Sequence, residues 1–155
     1  MRRYLSGRGL RLFRDSGGAN LLEAAIITPL LLLVTFGIVD FSALLYVHLA
    51  LQNGVTQASR FGVTGNLTGA LDREGSIMLA MRNATPTLTL SDAAFTFSHL
   101  AGGTWVAGAG APGDIEKVGV DYTWQIMTPL ISPFFTNGQI NFHVESSMKD
   151  ESLFQ

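Results

Sequence analysis

The chain has 155 residues, of which 47% are hydrophobic and only 14% charged, and its formal net charge is −2. That length holds one small domain, and charge this sparse points to a membrane segment attached to it. There is no cysteine, which excludes a disulfide framework and a thiolate metal site.

The charge is unevenly placed. Residues 1–18 carry Arg2, Arg3, Arg8, Arg11 and Arg14 against Asp15 alone, a net +4, leaving −6 for the rest of the chain. A basic run directly before an apolar stretch sets membrane orientation, with the cations kept in the cytoplasm. Nucleic-acid binding also uses clustered arginines, but the aromatic platforms and basic faces of such modules are missing. No nucleic-acid partner is expected.

From Leu21 to Val39 the sequence is apolar apart from Glu23, Thr28, Pro29, Thr35 and Gly37. At 1.5 Å per residue such a run covers about 28 Å, close to the hydrocarbon thickness of a bilayer. A secretory signal peptide would have a shorter apolar core ending in small residues at a cut site. Here the run passes into a further helical pattern, so membrane lipid is its expected surrounding and the chain is expected to cross once. With arginines on one side only, residues 1–18 are expected in the cytoplasm and the C-terminal part on the exported side.

Helical periodicity continues beyond the span. Leu44, Val47, Leu51, Val55, Ala58 and Gly62 recur at steps of three and four, beside a polar row of His48, Gln52, Thr56 and Arg60. The pattern predicts one helix over 19–62, about 66 Å long, whose second half lays an apolar stripe on a small head over 63–155. Pro29 lacks an N–H and clashes with the preceding turn, which marks a kink or a flexible point.

Glu23 is the oddity in this helix, since a carboxylate at the bilayer centre costs about 3 kcal/mol. It either snorkels to the cytoplasmic boundary or has a cationic partner. A cut between Gly18 and Ala19 would supply one: the new α-amino group of Ala19 lies one helical turn before Glu23, and the two would neutralise each other within a subunit or between staggered subunits.

In the head, 65–69 reads as a loop and Leu71–Ala84 as a second helix, with Leu71, Gly75, Met78 and Arg82 on one face and Pro86 as its stop. Period-two alternation predicts strands around Phe95–Ser98, Val118–Ile126 and Ile140–Glu145, with Asn137-Gly138 as a tight turn before the last. A sheet packed under the helix stripe makes the fold class α+β: a long N-terminal helix on a small antiparallel-sheet head.

Chemical motifs do not add up to an active site. Gly108–Gly113 matches the letters of a dinucleotide-binding glycine pattern, but Pro112 and the strand-like residues after it do not open a helix. The stretch 102–113 is read instead as a flexible loop, and no cofactor is expected. His143 and Glu145 share a strand face, with Asp121 or His99 as further conceivable ligands, but a solvated sheet face explains them as well, so no metal is assigned. No serine, histidine and acid are arranged for nucleophilic catalysis, so the chain is not expected to be an enzyme.

At particular residues the sequence resembles the TadE-like minor pseudopilins of tight adherence (Tad) pili, a branch of the type IV pilins. Ser16-Gly17-Gly18-Ala19-Asn20-Leu21-Leu22-Glu23 is similar to their leader, with its glycine, cut site and glutamate at mature position five. Pro29, the leucine run, Phe36-Gly37-Ile38-Val39-Asp40-Phe41 and Ala58-Ser59-Arg60-Phe61-Gly62 resemble their helix. Val118–Tyr122, Thr128-Pro129-Leu130 and Ser147-Met148-Lys149-Asp150-Glu151 resemble their ending. One position departs: Ala24 stands where such leaders usually carry Phe or Tyr. The resemblance implies a structural subunit of the inner membrane with a periplasmic head, reaching the pilus or cell surface and serving adhesion. Its implied partners are a prepilin peptidase cutting at Gly18-Ala19, other pilin and pseudopilin subunits, and the inner-membrane assembly platform. The rival reading is an uncut, membrane-anchored periplasmic binding or assembly module.

Overall fold

The computed structural model describes residues 16–150 apart from Pro112. The arginine-rich leader up to Asp15 lies outside the described residues, as does Glu151. The first element is a single helix, α1, at Ser16–Val63, which begins ahead of Ala19 and runs on through Pro29. In so apolar a segment, hydroxyls must find partners within the helix. Thr35 Oγ1 donates to the Leu31 carbonyl at 2.8 Å and Ser42 Oγ to that of Ile38 at 2.6 Å.

A second helix, α2, spans Arg73–Ala84. Asp72 caps it, its Oδ1 accepting from the Gly75 N–H at 2.8 Å. The chain leaves the helix at Thr85, whose N–H and hydroxyl both donate to the Met81 carbonyl, each at 2.9 Å, just before Pro86. The buried residues of α2 are Ser76, Ile77 and Met81, and Met78 packs against the same core. Leu71 falls before the cap, and the helix turns its next apolar residues toward α1. The two helices come close at Gly54, where an added Cβ would lie 2.6 Å from Thr85 Cγ2.

Four strands follow: β1 (Phe95–Ala101), β2 (Thr104–Ala107), β3 (Ile115–Gln125) and β4 (Gln139–Lys149). They form one antiparallel sheet in the order β2-β1-β3-β4. β2 corrects the expected loop over 102–113. Ala101 pairs with Thr104, so Gly102 and Gly103, with φ of 59° and 87°, form a two-residue hairpin turn that needs positive φ at both places. Directly after β2 the chain is held at two further residues: the Gly108 and Ala109 N–H groups donate to the Phe97 carbonyl and to Glu74. Asn137 and Gly138 also have positive φ, 55° and 64°, in the turn leading into β4.

Even-numbered residues of β3 and β4 face inward and odd-numbered ones outward, as alternation requires. Val118, Val120 and Val144, with Phe95 from β1, meet Val47, Leu51, Val55 and Ala58 of α1 and Ile77 and Met81 of α2 in one core. The structure is thus the expected α+β arrangement of a long helix on a small antiparallel sheet.

Candidate functional site

Three features of the molecule are built with evident specificity: the start of α1, an acid at its middle, and a charged cluster at the far end of the head.

Every residue from Gly18 to Leu32 is exposed. Gly18, Ala19 and Glu23 therefore lie in the first turns of a helix that nothing in the head covers, and an added Cβ at Gly18 would meet no atom within 4 Å. Ala19 and Glu23 are about 6 Å apart along the helix axis, on neighbouring positions of one face. Leu21, Leu22, Ile26, Ile27, Leu30 and Leu31 are each more than half exposed. A helix this apolar on all sides is made for a non-aqueous surrounding.

At Asp40 the head holds the helix by hydrogen bonds. Its side chain is buried, and its two oxygens accept from the backbone N–H groups of Met127 (3.2 Å) and Thr128 (3.1 Å). The carboxylate closes both bonds at the point where β3 gives way to the long connection into β4. Two stretches of the family-like pattern, around Asp40 and at Thr128-Pro129-Leu130, are thus in direct contact.

The third feature is a buried ion cluster. Arg73, the first residue of α2, donates to the Gly110 carbonyl at 2.8 Å, to the Gly62 carbonyl at 3.3 Å and to Glu116 at 2.9 Å, and it pairs with Asp150. Glu116 and Asp150 are 3% and 4% exposed, so two buried carboxylates share one guanidinium. Burial pushes the Glu116 carboxyl up from the ordinary range, more than Arg73 draws it down. Burial works against the Arg73 cation, but its hydrogen bond to Asp150 and the two acidic charges outweigh that and raise its pKa. The cluster fastens the end of α1, the start of α2, the 108–114 loop, β3 and the end of β4 to one point.

On the outer sheet face, Asp121, His143 and Glu145 form a solvent-exposed row. His143 Nδ1 lies 2.8 Å from Asp121 and Nε2 3.5 Å from Glu145, which also accepts from Lys117 at 3.2 Å. The hydrogen bond to Asp121 holds the His143 pKa above its ordinary value, and the bond from Lys117 holds that of Glu145 below. His99 does not join them. It pairs in register with Glu116, and its Nδ1 lies 2.9 Å from the Gly108 carbonyl oxygen. Among the described residues no group of three or more His, Asp and Glu is placed to hold a metal.

The exposed first half of α1, together with nearly all of the part that the head holds, matches a known family model. Residues 18–60 match the family model of TadE-like proteins. No curated protein and no solved structure matches the chain. The TadE-like segment covers Gly18, Ala19, Glu23 and Asp40 and stops just before the helix meets the Arg73 cluster. The match relates this segment to TadE-like proteins, and α1 is the chain's candidate single-pass membrane anchor, long and apolar enough to cross once.

Sequence reasoning singled out Glu23 as a lone acid in an apolar helix. The same signal was present at Asp40, between Val39 and Phe41, but there the acid serves the head's own backbone. Arg73, Glu116 and Asp150 gave no such signal, because each lies among polar or strand-like neighbours.

Proposed function

We propose that the chain is a structural, non-enzymatic minor pseudopilin of a Tad-type pilus. It is inserted once in the inner membrane with its leader in the cytoplasm and its head in the periplasm, and it is cut between Gly18 and Ala19 by a prepilin peptidase. The observation that carries this reading is the coincidence of two things in one stretch. Residues 18–60 match the TadE-like family, and the first part of that stretch is a helix exposed and apolar on every side, with a single acid, Glu23. A helix that packs against nothing in its own chain is suited to packing against lipid first and against other pilin and pseudopilin helices afterwards, through the inner-membrane assembly platform.

In this mechanism the cut creates a cation at Ala19 in apolar surroundings, and Glu23 one turn later neutralises it and sets the register between subunits. Wild type, Glu23→Gln and Glu23→Leu as the sole copy, each scored separately for cleavage and for incorporation, test this. Glu23→Leu leaves the helix apolar and the cut site intact, so insertion and cleavage should persist. It also strands the α-amine without its partner, at a cost of several kcal/mol. Uncombined subunit should then accumulate in the membrane fraction, and piliation and adhesion should fall. Normal piliation with Glu23→Leu would remove the charge-pairing mechanism. Normal piliation without the protein would remove the assembly role.

A further inference from the structure

The connection between β3 and β4, residues 126–138, reaches furthest of the head along α1 toward the N-terminus. It contains no Asp, Glu, Lys, Arg or His. Phe134 is 76% exposed, Met127 68% and Leu130 50%. Ile131, Phe134 and Phe135 face Leu33, Val34 and Gly37 of α1 across an apolar groove of about 330 Å³. Leu33 lies about 10 Å along the helix axis from Asp40 on its N-terminal side, so this loop runs beside the last turns of the apolar span Leu21–Val39. Apolar side chains held out around an open groove are unfavourable in water.

The backbone of the loop is equally unusual. Between Ile126 and Phe135, Pro129 and Pro133 have no N–H, and every other N–H except that of Leu130 has a protein acceptor. Ile126 donates to Gly138, Met127 and Thr128 to Asp40, Ile131 and Ser132 to Thr128, Phe134 to Ile131, and Phe135 to Ser132. An irregular loop in water can leave such groups to the solvent; one at the edge of hydrocarbon must satisfy them internally. The buried Asp40 carboxylate provides the bonds for the two residues that enter the loop.

We propose that residues 127–135 are seated in the membrane leaflet on the head's side, with Leu130 and Phe134 in its hydrocarbon boundary and acyl chains filling the groove beside Val34. This rests on the reading of α1 as a membrane-spanning helix. Whatever surrounds α1 at Leu33 and Val34 surrounds the loop as well, and in the inserted protein that is lipid. The head is then docked on the bilayer at a fixed height.

The absence of cysteine makes spin labelling direct. The full chain is reconstituted in vesicles of phosphatidylcholine and phosphatidylglycerol as three labelled variants: Phe134→Cys, Val34→Cys within the span, and Ser147→Cys on the exposed outer face of the sheet. Collision rates with oxygen and with a water-soluble nickel chelate are measured for each, with Leu130→Cys as a second loop position. The expected result is an oxygen-to-nickel ratio at Phe134→Cys and Leu130→Cys close to that at Val34→Cys and well above that at Ser147→Cys, unchanged as protein is diluted in lipid. Loop ratios equal to that at Ser147→Cys, with Val34→Cys still shielded, would overturn the seating while leaving the span intact. Aqueous exposure of Val34→Cys would overturn the span and the seating together. Shielding lost on dilution would assign the loop to contact with a second copy and overturn the lipid proposal.

Discussion

The two halves of α1 are both rich in apolar residues but have different surroundings. In the first half, Leu30 and Leu31 are 61% and 62% exposed; in the second, Leu51 and Val55 are fully buried against α2 and the sheet. The second half carries a polar row at His48, Gln52, Thr56 and Arg60, the first almost none. A helix with one apolar stripe is specified by its own head, whereas one apolar on all sides is specified by an environment outside the chain. Asp40 stands at the junction, where an acid buried by the head replaces the last of the apolar span.

The largest effect is expected at the cluster that closes the head. Arg73→Met leaves Glu116 and Asp150 buried without their cation, and should cost about 3–5 kcal/mol of head stability. Denaturant unfolding of the detergent-solubilised chain, followed by tryptophan fluorescence, measures it. An unchanged midpoint would show that the cluster does not hold the elements together. A matched pair of leucines sharpens the contrast itself. Leu51→Ala should destabilise by about 3 kcal/mol, through lost burial and the cavity left behind. Leu31→Ala, which removes no contact with the head, should leave the same unfolding curve in place. Equal effects would mean that the two halves are not energetically distinct.

A smaller effect is expected from Glu116→Gln. The folded carboxyl titrates above its unfolded value, so its contribution is fully present below the ordinary glutamate range. It is lost as pH rises through the raised folded value. Glutamine mimics the neutral form and leaves Arg73 paired with Asp150. The variant should therefore match wild type at acidic pH and be the more stable of the two near neutrality. Its stability should fall less from the ordinary glutamate range upward. Identical pH profiles for the two proteins would contradict the burial argument.

How much of this was legible in the sequence differs between the same two regions. The buried stripe Val47, Leu51, Val55 and Ala58 could be read directly, because helical period and burial coincide there. The central parts of β3 and β4 were legible because apolar and polar residues alternate from Val118 to Gln125 and from Ile140 to Glu145, whereas Ile115–Lys117 and Ser146–Lys149 carry no such pattern. Strand β2 was not: four exposed residues between glycine-rich segments show no alternation, and the one signal was the pair Gly102-Gly103 between Ala101 and Thr104. The start of α2 was read two residues early because Leu71 fits the helical spacing, whereas Asp72 caps a helix that begins at Arg73. Of the candidate site, Glu23 was visible as a charge out of place. The Arg73 cluster was invisible because its partners lie 43 and 77 residues away in sequence, and nothing local marks such a pairing.

The central claim is that residues 18–23 form a processing and assembly site whose chemistry begins when the chain is cut. N-terminal sequencing of the protein recovered from cells containing the cognate prepilin peptidase tests it most directly. The account predicts a mature chain beginning Ala19-Asn20-Leu21-Leu22-Glu23. A chain that retains Gly18 and the residues before it would contradict the account and leave an uncut membrane-anchored module in its place.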